Sequence, residues 1–132
     1  MREPNSKLEL GHVFVYGTLL PGDVRWHRLA PLVTDDGVAD RVAGRLFDTG
    51  LDYPAAVFRN AGEATIIGRT YELDNVERAL AVLDEIEGTV AGLYHRVAID
   101  TANGHRAWAY QYGGELDLTL IRSGDWLAHR PL

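Results

Sequence analysis

Apolar and polar positions follow two different periods along this 132-residue chain, and the places where the period changes mark its elements. Val13-Phe14-Val15-Tyr16 is an unbroken apolar, β-branched and aromatic run, the pattern of a strand buried on both faces. Val38 to Phe47 predicts a long strand with Gly44 at a bulge or bend. Ala55 to Phe58 predicts a short strand, and Ala64 to Leu73 another with Gly68 at its middle. Tyr94 to Asp100 and His105 to Tyr112 predict two strands joined by the hairpin signal Thr101-Ala102-Asn103-Gly104. Trp108, Tyr110 and Tyr112 share one face of the second, a stripe that is more often core than the wall of a binding site.

The helical period dominates one stretch, Asn75 to Gly88. Asn75, or Asp74 before it, supplies an N-cap acceptor, Glu77 sits in the first turn, and Gly88 is a stop signal. With Val76 at zero, Leu80 falls at about 40° and Leu83 at about 340°, which defines the apolar face. Glu85 falls at about 180°, on the solvent side, and Asp84 at about 80°, on the flank. Glu87 falls at about 20°, where the pattern asks for a leucine. Val24 to Val33 carries Trp26, Leu29, Leu32 and Val33 at roughly helical spacing but is interrupted by Pro31, so it predicts a short, broken helix.

Residues 1–11 read as a loose lead-in, Gly113 to Thr119 as a loop, and Ile121 to Trp126 as a compact tail with Trp126 packed back on the body. About six strands, one clear helix and one broken helix predict an α+β fold, economically a small mixed β-barrel with flanking helices. At 132 residues the chain has the size of one domain, spanning 1–132.

Glu87 is the residue this pattern singles out. Burial on an apolar face and a place at the C-terminal end of a helix both disfavour a carboxylate, which predicts a raised pKa and suits a general base near neutral pH. The alternative is that the last turn unwinds and Glu87 swings into water. Gly17-Thr18-Leu19-Leu20-Pro21-Gly22, directly after the first strand, reads either as an ordinary turn or as a loop whose backbone N–H groups approach a ligand. It lacks the Gly-Lys-Ser/Thr ending of a phosphate loop.

Composition narrows the chemistry. The net charge of −6 leaves no basic footprint for nucleic acid or anionic membrane surfaces. There is no cysteine, which removes thiol nucleophiles and thiolate metal sites and fits a reducing compartment. No apolar run approaches the roughly 20 residues of a membrane span, and Met1 to His12 has no signal-peptide core, so a cytoplasmic protein is the expectation. The two serines, Ser6 and Ser123, lie outside any nucleophile-elbow context. The five histidines do not pair at metal-ligand spacing on one element. A general base beside a backbone-donor loop remains, an arrangement for proton transfer with stabilisation of a developing oxyanion.

Val13-Phe14-Val15-Tyr16-Gly17-Thr18-Leu19 resembles the opening signature of the gamma-glutamylcyclotransferase-like superfamily, in its branch of small gamma-glutamylamine cyclotransferase and AIG2-type proteins. The likeness continues in order through Val42 to Asp48, Tyr53-Pro54-Ala55, Gly68 to Leu73, Leu83-Asp84-Glu85-Ile86-Glu87-Gly88, Tyr94-His95-Arg96 and Ser123 to Trp126, covering about residues 12–126. The resemblance implies a small β-barrel with flanking helices and makes Glu87 the catalytic glutamate. It implies a substrate loop at Tyr16, Gly17, Thr18 and Leu19, and places Tyr94 near the substrate. His95 departs from a pattern that often has arginine there, which touches only the contact such an arginine would make.

The implied reaction is intramolecular: Glu87 frees a gamma-glutamyl α-amine, which closes on the side-chain carbonyl to give 5-oxoproline and a free amine or amino acid. It requires no metal or other cofactor, and its partner is a small gamma-glutamyl molecule rather than nucleic acid or a membrane. A non-catalytic binding or regulatory module of the same fold is the alternative. The carboxylate on an apolar helix face favours the enzyme, because a binder has little reason to bury one.

Overall fold

The computed structural model describes residues 10–17, 26–50, 53–59, 64–91, 94–114 and 118–129. Among them are eight strands: β1 (His12–Val15), β2 (Val38–Ala43), β3 (Arg45–Asp48), β4 (Pro54–Val57), β5 (Thr65–Glu72), β6 (Tyr94–Asp100), β7 (Arg106–Tyr112) and β8 (Thr119–Ile121). The helices are α1 (Trp26–Leu29), continued by a 3-10 turn over Ala30–Leu32, α2 (Val76–Ala91) and α3 (Trp126–His129). The class is α+β, as expected, but the strand count is eight rather than about six.

Two features account for the difference. The long strand expected over Val38 to Phe47 is two strands, because the chain turns at Gly44 (φ +154°) and passes from one sheet to another. A side chain there would meet the Val57 carbonyl oxygen at 2.5 Å, so the turn demands glycine. The other addition is β8, three residues within a stretch that reads as loop and tail; only pairing with β3 defines it.

The strands form a five-stranded sheet in the order β2-β5-β1-β7-β6 and a three-stranded sheet in the order β4-β3-β8. The barrel is not closed. Instead of a ladder, the tip of the β6–β7 hairpin touches the opposite edge strand. Ala102 N–H donates to the Arg41 carbonyl (2.9 Å), and the Asn103 side chain donates to the Ala39 carbonyl (2.9 Å). Asp40, buried on β2, ties the same corner together. Its carboxylate accepts from the amides of Arg41 (2.9 Å) and Asn103 (3.1 Å) and from the Thr70 hydroxyl (2.8 Å).

The five-stranded sheet buries both faces. On one, Val13, Val15, Tyr71, Trp108 and Tyr110 pack against Leu29 and the α2 residues Ala79, Leu80, Leu83 and Ile86. On the other, Phe14, Tyr16, Ile66, Ala107 and Ala109 pack against Leu46, Ala56, Ile121 and Trp126, which includes the tail tryptophan as expected. Leu10 is buried and the Gly11 carbonyl accepts from Leu73 N–H (2.7 Å), so the chain is already anchored at the end of the expected lead-in; residues 1–9 lie outside the described residues.

β1 is the axis of the sheet, antiparallel to β5 and parallel to β7. Gly68 on β5 makes that approach possible: a Cβ there would lie 2.1 Å from the Val15 carbonyl oxygen and 2.8 Å from the Phe14 ring. Because backbone cannot yield as a flexible side chain can, Gly68→Ala is expected to destabilise the fold by about 1–3 kcal/mol, read as a lower urea midpoint.

Asp40 gives a second prediction. Burial alone would raise its pKa, but hydrogen bonds from Thr101, the Arg41 amide, Thr70 and the Asn103 amide outweigh it and hold the carboxyl below its ordinary value. The unfolded chain, with an aspartate pKa of roughly 3.9, therefore takes up the proton first as pH falls. The stabilisation is complete above that value and is lost as pH falls through the folded one. Asp40→Ala is expected to be less stable at pH 7 and to show a shallower loss of stability below about pH 4, measured by urea unfolding across the acid range.

Candidate functional site

α2 begins where its cap residue allows. Asn75 accepts from Arg78 N–H at 3.2 Å through its side chain, and its carbonyl takes Ala79 N–H at 2.9 Å. Asn75 has φ +37°, a conformation that asparagine tolerates better than most residues. The predicted register is observed: Leu80 and Leu83 are buried, Glu85 and Asp84 face solvent, and Glu87 is half-buried.

One expectation needs correction. The helix does not stop at Gly88 but runs through it to Ala91. Glu87 thus lies a full turn before the helix end, and the macrodipole, which acts mainly within the last turn, loses most of its weight at this position.

The sheet brings distant parts of the chain to the same end as Glu87. Because β7 runs parallel to β1, their C-terminal ends lie together; because β6 runs antiparallel to β7, its first residue joins them. Tyr16 and Gly17 follow β1, Tyr110 and Tyr112 end β7, and Tyr94 opens β6 opposite Tyr112. Tyr94 lies edge-on to Tyr112, ring centroids 5.4 Å apart, and to Tyr53, at 6.2 Å. Its hydroxyl donates to the Pro54 carbonyl. The Pro54 ring in turn fills the space beside Gly17, where a Cβ would meet it at 2.9 Å. Thr18 and Leu19, the remaining residues expected in the substrate loop, lie outside the described residues.

The electrostatics link these groups to Glu87. Burial, and after it the charge of Glu87, raises the hydroxyl pKa of Tyr16 and of Tyr94. Burial, then the hydrogen bond to Asp84 and its charge, and also the charge of Glu87, raises that of Tyr110. All three phenols keep their protons across the physiological range. Each directs its proton to another acceptor: Tyr16 to the Tyr110 carbonyl, Tyr94 to the Pro54 carbonyl, and Tyr110 to Asp84 Oδ1 at 2.6 Å. The half-buried carboxylate therefore lies within electrostatic reach of three phenolic oxygens, at the end of a sheet with apolar walls.

Sequence reasoning missed part of this group. Tyr110 reads as core from its alternation with Trp108, and its ring is indeed in the core (5% exposed); only its hydroxyl reaches the site. Asp84 reads as a flank residue. It accepts from Tyr110 and lies 3.7 Å from Arg96 Nε, whose guanidinium stacks over Trp108 at 4.6 Å. The available signal was the i, i+3 spacing of Asp84 and Glu87, which places two carboxylates on adjoining positions of one helix.

A model of the family described as gamma-glutamyl cyclotransferase, AIG2-like, matches residues 13–128. The chain is 37% identical over 118 residues to the gamma-glutamylcyclotransferase family protein ytfP of Citrobacter rodentium, covering 87% of this chain and 94% of that one. It is 29% identical over 133 residues to the gamma-L-glutamyl-butirosin B gamma-glutamyl cyclotransferase of Niallia circulans, covering 95% and 81%. Among solved structures it is similar to YkqA from Bacillus subtilis, with a TM-score of 0.71 and 31% identity over 90% of this chain; the match spans 40% of that longer protein. No helix among the described residues is long and apolar enough to cross a membrane.

Proposed function

The chain belongs to the gamma-glutamyl cyclotransferase, AIG2-like family, and from that premise we propose that it converts a gamma-glutamyl amine or small gamma-glutamyl peptide to 5-oxoproline and a free amine, with Glu87 as the general base. The observation that carries this reading is the half-buried Glu87 on α2, whose charge, after burial, helps raise the hydroxyl pKa of Tyr16, Tyr94 and Tyr110. A relative is named for gamma-L-glutamyl-butirosin B, and the family description names only the gamma-glutamyl group. The gamma-glutamyl end is therefore the common element, and the leaving amine is the variable one.

In this reading the substrate enters with its α-ammonium toward Glu87. The carboxylate takes one proton, and the freed nitrogen attacks the side-chain carbonyl carbon to close a five-membered ring. The oxyanion formed is stabilised by backbone N–H groups of the loop over residues 16–19. Collapse breaks the bond to the departing nitrogen. Over the cycle two protons leave the attacking nitrogen and two arrive on the departing one, so Glu87 ends ionised, as it began. The aromatic walls from Tyr53, Tyr94 and Tyr112 hold the bound chain in a folded, near-attack shape, and the low-dielectric surroundings strengthen each charge interaction.

The test is detection of 5-oxoproline by mass spectrometry after incubating the purified protein with a panel of gamma-glutamyl amines and peptides. Glu87→Gln, nearly isosteric, is expected to lower its formation by about 10²- to 10⁴-fold while leaving thermal melting close to that of the native protein. Glu85→Gln, on the exposed side of the same helix, is expected to change little. Retained activity in Glu87→Gln removes Glu87 as the base. Ligand-induced stabilisation without 5-oxoproline from any substrate replaces the enzyme reading with that of a binding protein.

A further inference from the structure

The connection from β3 to β4 brings Tyr53 to the aromatic group at the strand ends. Pro54, at its far end, is fixed by its neighbours: its carbonyl accepts from the Tyr94 hydroxyl, and its ring lies against Gly17. The near end is fixed by a side chain. Asp48 Oδ1 accepts from the Gly50 amide at 2.7 Å, where Gly50 takes the left-handed conformation (φ +82°). The Thr49 hydroxyl then reaches across to donate to the Tyr53 carbonyl at 2.7 Å.

The second oxygen of the same carboxylate meets a residue from a distant part of the chain. His129 Nε2, on α3, lies 2.8 Å from Asp48 Oδ2. Hydrogen bonds from His129, and after it from the Gly50 amide, hold the Asp48 carboxyl below its ordinary pKa, so it is ionised and can only accept. The ring nitrogen facing it therefore carries the hydrogen. His129 itself is well mounted. Its amide donates to the Asp125 carbonyl at 3.0 Å, and its ring lies 6.1 Å from that of Trp126, which is buried. With both oxygens engaged, the Asp48 side chain cannot rotate without losing a charge-assisted hydrogen bond. The two side chains are 30% and 34% exposed, so solvent screening keeps the pair's contribution to global stability small. What it fixes is the carboxylate that holds Gly50.

We infer that His129 is a positioning residue: through Asp48 it sets the conformation at Gly50 and so the place of the Tyr53 ring beside Tyr94, and it governs affinity for the substrate without touching it. The inference deepens the proposed cyclotransferase reading and rests on it in one respect, that the Tyr53 ring is part of the wall holding the gamma-glutamyl chain. Such a wall holds substrate and transition state alike, so its displacement acts on KM rather than on kcat.

Two measurements test this. In the nuclear Overhauser spectrum of the native protein, the ring protons of Tyr53 and Tyr94 are expected to share a cross-peak, as are those of Tyr94 and Tyr112. His129→Ala is expected to lose most of the first and keep the second. His129→Gln, which retains an N–H donor for Asp48, is expected to restore the first. In 5-oxoproline formation, His129→Ala is expected to raise KM by about 3- to 10-fold with kcat close to native, and His129→Gln to return KM toward the native value. In a Tyr53→Leu background, His129→Ala is expected to add no further rise.

A native protein without the Tyr53–Tyr94 cross-peak overturns the inference, as does one whose cross-peak survives in His129→Ala. Loss of both cross-peaks overturns it too, because the role is then merely structural. So does a fall in kcat at constant KM, a His129→Gln variant no better than His129→Ala, or a full further rise in the Tyr53→Leu background. If no gamma-glutamyl compound yields 5-oxoproline while the cross-peak still depends on His129, the cyclotransferase reading fails and the effect on its substrate fails with it, but the positioning of Tyr53 stands.

Discussion

β1 is hydrogen-bonded along both edges, antiparallel to β5 and parallel to β7, and the placement of every group around Glu87 depends on that pairing. A parallel neighbour brings two C-terminal strand ends to the same side, and the β6–β7 hairpin adds the start of β6 to them. A one-residue slip of β1 would exchange its faces, sending Phe14 and Tyr16 toward α2 and Val13 and Val15 toward the second sheet. The register is guarded from both sides: Gly68 leaves no room for anything but close backbone contact with Val15, and the two apolar clusters demand opposite faces of β1.

An open barrel has edges to protect. β2 and β6 are the outer strands of the larger sheet, and this protein joins them at one corner, through one backbone hydrogen bond and side chains, rather than along a full ladder. Asp40 and Asn103 supply the joint, and the buried carboxylate is saturated with donors. The opposite end is the one where Tyr16, Gly17, Tyr94 and Tyr112 gather. Closing the corner near the hairpin tip holds the sheet curved.

Asp40 is surrounded by N–H and O–H groups that favour its charged form. The phenols of Tyr16, Tyr94 and Tyr110, whose pKa the charge of Glu87 helps to raise, keep their protons and donate them to the Tyr110 carbonyl, the Pro54 carbonyl and Asp84. On the proposed reading the substrate ammonium is the proton donor to Glu87 in the first step.

Within the sequence, local pattern was enough for the helix register that turns Glu87 inward, the cap at Asn75, the hairpin before Arg106 and the α+β class. Each depends on neighbours within a few residues, where periodicity and backbone preference dominate. The ordered motifs from Val13 to Trp126 also pointed to the family to which the chain belongs. Tertiary structure alone decided that Gly44 divides a strand between two sheets, that three residues at Thr119 pair with β3, and that α2 continues past Gly88. It also decided that the Tyr110 hydroxyl, borne on a core ring, meets Asp84 and the field of Glu87. These outcomes depend on contacts between positions far apart in the chain, and the direction of a single O–H bond leaves no trace in a pattern of apolar and polar residues.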